Sequence, residues 1–372
     1  MDFRPELLDD PAALIAADRG GLLRALATAG AQVRRAVETV AEFGVERLRG
    51  EVRPRAVLVA PDAHAPYLSS LLGVLAAGEA PVLDWRNAQL PRWAGPADAL
   101  LVASADGRHP RLAELVAQAS RRGLALAVAA PLGSPVAAAA ARHPVADLSH
   151  LGAQPNRASW WSLATPALLA LDALGLADTA PVLGQVADRL DEIAETDRPD
   201  SDAFVGPAKV LAAELAESVP VIAGVGPAAT VAARRVAGAI QLLGGSTAMA
   251  ASLPDDVARI GSLLEYAAVE TDFFADRVAE PAVKPRLVLI GDDEDYHPPA
   301  DQLGEEAGRR AAGALSGLAR SRGLGVSRVL AAPAAPLVRF AAATATGDFA
   351  ASYLALARGI DPSAPRLGEL DH

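Results

Sequence analysis

Short apolar runs separated by helix-length amphipathic stretches recur through most of this chain, in two successive series. In the first, runs at 56–60, 81–84, 99–103 and 124–130 are separated by helical patterns that end near Ala77 and Arg122. In the second, Pro220-Val221-Ile222-Ala223-Gly224 is followed by helical patterns to Leu243 and over 257–268, a run at 286–290, a helix over 302–320 and a run at 326–331. Strands that alternate with helices pair in parallel, because a parallel connection needs a crossover that a helix supplies. The chain is therefore expected to be α/β, with two doubly wound parallel sheets related as an internal repeat.

Residues 11–50 read as helical, with Leu14, Leu22, Leu26, Val33, Val37 and Val40 near helical spacing and Arg34, Arg35 and Glu38 on the other face. A second helical stretch over 158–218 is broken by the polar run 195–202. The expected division is an N-terminal helical segment at 1–50, a first domain at 51–175, and a second at 176–372 with a helical tail. At 372 residues, 51% of them hydrophobic, the chain has material for both cores.

Composition removes several functions. There is no cysteine, so disulfides, thiolate zinc sites and cysteine nucleophiles are excluded. A net charge of −11 with only two lysines, Lys209 and Lys284, argues against a surface that neutralises nucleic-acid phosphates. The alanine-rich stretch 136–141 is too short for a membrane span, and Met1-Asp2-Phe3-Arg4-Pro5-Glu6 lacks the order of a signal peptide. A cytoplasmic protein with no membrane or nucleic-acid partner is expected. No pair of histidines has the helical spacing of a zinc site, and neither a metal nor a cofactor is expected. The acidic run from Asp292 to His297 reads as a solvated loop.

Three stretches carry a resemblance. The run Gly347-Asp348-Phe349-Ala350-Ala351-Ser352-Tyr353-Leu354-Ala355, closing on Gly359-Ile360-Asp361-Pro362, is similar to the ending of the bifunctional phosphoglucose/phosphomannose isomerases. Pro207-Ala208-Lys209 resembles the segment that precedes that family's second sheet, and Ser104-Ala105-Asp106-Gly107 stands where the family has its phosphate loop. The resemblance implies two sugar isomerase (SIS) domains in tandem, a sugar-phosphate ligand and a homodimer.

Aldose/ketose isomerisation requires a base, a ring-opening group and a cation near the developing enediolate. The resemblance implies a Glu, a His and a C-terminal Lys in these roles. Here Leu242 and Ala258 stand at the first two positions, and the tail 363–372 contains no lysine. The phosphate loop keeps Ser104 but has Asp106 and His109 in place of hydroxyls, and Ala60-Pro61-Asp62-Ala63-His64 lacks the glycines of the family's first turn. Candidate ligand groups are Ser104, Gly107, Arg157, Gly224, Gly226 and Thr230, the last three at a strand-to-helix turn that could hold an anion. The expected function is binding of a carbohydrate derivative without isomerisation. The alternatives are an active isomerase using Asp255, Asp256, Glu265 or His109, and a structural subunit with closed clefts.

Overall fold

A computed structural model describes residues 3–50, 53–152, 156–267, 284–292, 303–331 and 334–363. The chain divides into two compact units, one made of residues 28–191 and the other of residues 1–27 together with 192–372. The units are not consecutive in sequence, in contrast to the linear division expected above. The stretch 11–50 accordingly does not form one packing layer. Gly21, at φ 65°, interrupts it, and the Asp18 carboxylate accepts the N–H groups of Leu22 and Leu23 at 2.8 Å, so the chain reorients before Thr28.

In the 28–191 unit, β1 (Val57–Pro61), β2 (Val82–Asp84), β3 (Ala99–Ala103), β4 (Ala125–Ala130) and β5 (Val145–Asp147) form a parallel sheet in the order β2-β1-β3-β4-β5. Strands β1 and β3 are buried along their full length, as continuous apolar runs covered on both faces must be. The helix Pro110–Arg122 buries Leu112, Leu115 and Val116 against Leu58, Leu100, Leu126 and Val128. The helix Trp160–Ala173 is apolar nearly all round, and it lies between β3 and β4 on one side and the helix Ala29–Glu38 on the other.

In the other unit, β6 (Ser218–Val225), β7 (Met249–Leu253), β8 (Lys284–Asp292) and β9 (Val326–Ala331) pair in parallel in the order β7-β6-β8-β9. Strands β5 and β7 are absent from the sequence reading. The first has three residues, and Met249-Ala250-Ala251-Ser252-Leu253 has no β-branched residue to mark it. The helix Pro336–Ala357 is the apolar centre of this unit, packed on the helices Pro227–Leu242 and Pro207–Leu215 and on the N-terminal segment. Lys209, with no exposed surface, donates from Nζ to the carbonyls of Leu8, Pro199 and Ser201 at 2.7 Å each. These bonds, with the 2.9 Å bond from Arg4 N to Ala357 O, are why the first residues belong to this unit.

Candidate functional site

Open α/β sheets bind ligands outside the carboxyl ends of their strands, where the strand order reverses. That point lies between β1 and β3 in one sheet and between β6 and β8 in the other.

At the first, β1 ends at Pro61 and the next residue, Asp62, turns back across the crevice. Its carboxylate accepts Ala105 N–H at 2.6 Å and His64 N–H at 2.8 Å, with the side chain 9% exposed. Burial alone would raise its pKa, but the bonds from His64 and Ala105 outweigh it and hold the group below the usual carboxylate range. The fully buried Ser104 Oγ accepts Gly107 N–H at 3.2 Å, and Asp106 accepts Arg108 N–H at 2.9 Å. Three N–H donors of the loop after β3 are therefore taken by the chain's own side chains. The carboxylate that fills this crevice is Asp62 rather than Asp106. Gly107 has φ 67°, and a Cβ there would lie 2.1 Å from Ser134 Oγ, so its glycine serves packing as well as the turn. His109 caps the following helix, its Nδ1 accepting Arg111 N–H at 3.2 Å. Arg111 donates to Trp85 O and Pro61 O at 3.0 and 3.3 Å, and burial pulls its pKa down.

At the second reversal, Gly224, Gly226 and Thr230 come together. A Cβ on Gly224 would lie 2.3 Å from the backbone of Ala229, so only glycine lets β6 meet the helix Pro227–Leu242 this closely. Thr230 Oγ1 donates to Gly226 O at 2.9 Å and lies 3.2 Å from Ser252 Oγ. Ser252 N–H in turn donates to Asp256 at 2.8 Å. Glu305, on the helix Leu303–Ser321, approaches from above: its Cγ lies 3.1 Å from where a Gly226 Cβ would be, and it pairs with Arg339 at 3.5 Å. A carboxylate is favourable at a helix N-terminus, and this one stands where an anionic ligand would otherwise sit. The space left, lined by Val225, Ala228, Ala229 and Ile290 among others, is about 20 Å³, room for about one water molecule.

Of the remaining sequence candidates, Asp256 meets the second crevice only through Ser252, and the others join neither. Asp256 is tied to Arg259 and to Ser252 N–H, which hold its pKa below the usual value, so it is fixed in its ionised form. Asp255, Glu265 and Arg157 are exposed. Leu242 is 46% exposed at the end of its helix remote from the crevice, and Ala258 is exposed. The acidic residues 293–297, the stretch 154–155 and the tail beyond 363 lie outside the described residues.

Residues 204–366 match the family described as the bacterial phospho-glucose isomerase C-terminal SIS domain. No curated protein matches the sequence. Among solved structures, a glucose-6-phosphate isomerase like protein from Thermus thermophilus is similar at 19% identity and TM-score 0.54, over 95% of this chain and 94% of that one. Tagatose-6-phosphate ketose/aldose isomerase from Escherichia coli is similar at 12% identity and TM-score 0.58, over 96% of each chain. The C-terminal domain of glucosamine-fructose-6-phosphate aminotransferase from Francisella tularensis is similar at 10% identity and TM-score 0.58, over 92% and 97%. The fold is similar to that of these solved structures.

The motifs that carry the resemblance are packing motifs in this chain. Gly347 has no room for a Cβ, which would meet Val236 Cγ2 at 2.4 Å, and Asp348 pairs with the buried Arg235 at 2.7 Å. Tyr353 donates to Asp197 O at 2.5 Å, and Lys209 holds three carbonyls. Their partners lie in the core, away from the strand ends.

One cavity went unseen in the sequence. In the 28–191 unit, beyond the ends of β4 and β5, about 230 Å³ is enclosed by residues that include Gln32, Arg35, Glu42, Asp147, His150 and Ser162. Gln32 is fixed by its bonds to Ala158 O at 2.8 Å and from Ser162 N–H at 3.0 Å. Asp147 Oδ1 accepts Leu132 N–H, Ser149 N–H and Ser149 Oγ at 3.1, 2.8 and 2.5 Å. These residues spread over three separate segments, so no spacing rule could have assembled them.

Proposed function

We propose that this is a tandem SIS-domain protein, like the phosphoglucose/phosphomannose isomerases, that binds a phosphosugar or related carbohydrate derivative and does not isomerise it. The match over 204–366 supports the sugar-phosphate class, and the repeated parallel sheet supports a second SIS domain in the earlier part of the chain. We further propose that it acts as a cytoplasmic homodimer.

The observation that carries the non-isomerising reading is the occupancy of both strand-order reversals by the chain's own carboxylates, Asp62 and Glu305. Each is an anion where a substrate phosphate would be held, and like charges exclude one another. The positions matched to the family's base and ring-opening group carry Leu242 and Ala258, which cannot transfer a proton. Loss of a general base alone costs about 10²–10⁴ in rate. The test is a dehydrogenase-coupled assay for conversion of fructose 6-phosphate to glucose 6-phosphate and to mannose 6-phosphate. The expected result is background rate. Turnover that disappears in an Asp255→Ala, Asp256→Ala double variant would establish an active isomerase with relocated chemistry.

A structural or assembly role has one observation in its favour, the near-closure of the second crevice to about 20 Å³. The 230 Å³ cavity in the other unit favours ligand binding instead.

A further inference from the structure

We infer that the ligand site of this protein is the cavity in the 28–191 unit, with Arg35 receiving the phosphate of a phosphorylated monosaccharide and Glu42, Gln32 and His150 meeting its hydroxyls. This rests on the phosphosugar reading above and deepens it by moving the site away from both strand-order reversals.

Size is the first support. About 230 Å³ suits a ligand smaller than the drug-sized molecules that fill pockets of roughly 300–1,000 Å³, whereas the crevice beside Gly226 leaves about 20 Å³.

Charge is the second. The Arg35 guanidinium has no hydrogen bond or ion pair among the described residues, although Asp147 and Glu42 line the same cavity. In the same helix Arg34 bridges Asp188 and Asp191, and nearer the sheet Arg55 holds Asp98. The Asp147 carboxylate is already committed to three donors within the chain. An arginine at a cavity wall with no partner among the described residues is suited to the planar, two-pronged recognition of a phosphate.

Hydroxyl recognition is the third. Gln32 and Ser162 hold each other at 3.0–3.1 Å, and Ser162 Oγ lies 3.5 Å from His150 Nε2, so the wall is positioned before a ligand arrives. Burial, and then the nearby Arg35, pull the His150 pKa down, so at neutral pH the ring has one donor and one acceptor. Glu42 accepts from hydroxyls, and Phe43 and Leu132 give the sugar ring an apolar face.

The test is calorimetric titration of the whole protein with glucose 6-phosphate, repeated on Arg35→Gln and Ala36→Phe. Arg35 has no partner to lose among the described residues, and Ala36 lines the cavity, so the second variant fills the space and leaves every charge in place. Loss of a charged hydrogen-bonding contact should raise Kd roughly ten- to a hundredfold in Arg35→Gln, and Ala36→Phe should abolish binding. If the wild-type protein binds and both variants bind equally well, the phosphosugar reading stands and this location is wrong. If the wild-type protein does not bind at millimolar concentration, the phosphosugar reading itself fails.

Discussion

Asp62 shows how a single side chain can close a site. Its carboxylate joins the end of β1 to the loop after β3 through Ala105 and holds its own turn through His64, so Asp62→Asn should destabilise the protein by about 1–3 kcal/mol at pH 7. The pH dependence follows from its depressed pKa. A carboxyl that ionises more readily in the folded than the unfolded chain contributes stability above the unfolded value of about 4, and loses it as pH falls through the folded value. Thermal melts of wild type and variant should therefore differ from pH 8 to pH 5 and converge below about pH 4. A difference independent of pH would show that Asp62 contributes only through shape. The sequence displayed the missing glycines around Asp62 but gave no sign of where its carboxylate turned. That depends on β3 lying beside β1, which local pattern does not encode. Glu305 was less legible still, since an acidic residue in the first turn of a helix is ordinary.

Among the elements, the long apolar strands were readable because β-branched and leucine runs leave a continuous signal, as in Val57-Leu58-Val59 and Leu287-Val288-Leu289-Ile290. Helix contacts are less visible, since they depend on which small residues face each other. Between the helices Pro336–Ala357 and Pro227–Leu242, Gly347 meets Val236 with no space for a methyl group. Gly347→Ala should cost about 1–3 kcal/mol through overpacking, and Val236→Ala in the same chain should recover most of that loss. Denaturant melts of the two single variants and the double variant form the cycle that checks it. Additive losses would mean that the two residues are not coupled. The same cycle tests whether the family-like ending Gly347-Asp348 is retained for packing.

At the scale of the whole molecule, the chain leaves the unit in which it begins, builds residues 28–191, and returns. Each unit has its own apolar core, so calorimetry should resolve two transitions. Removing residues 1–27 should lower one and leave the other unchanged, because Leu8 O and Arg4 N bond within the unit that contains Lys209 and Ala357. A uniform shift of both would mean that the chain unfolds as one cooperative body. Sequence reading placed residues 1–50 before the first domain because they come first. The partners of Leu8 and Arg4, namely Lys209 and Ala357, are distant in sequence and leave no local signal. The return of the chain also governs its order of assembly during translation. Residues 28–191 can fold while the ribosome is still working, but the first segment must wait for the helix Pro336–Ala357 to emerge. At about 5–20 residues per second, that wait is on the order of tens of seconds, during which residues 1–27, with Leu8, Leu14 and Leu22 uncovered, are open to chaperones and proteases.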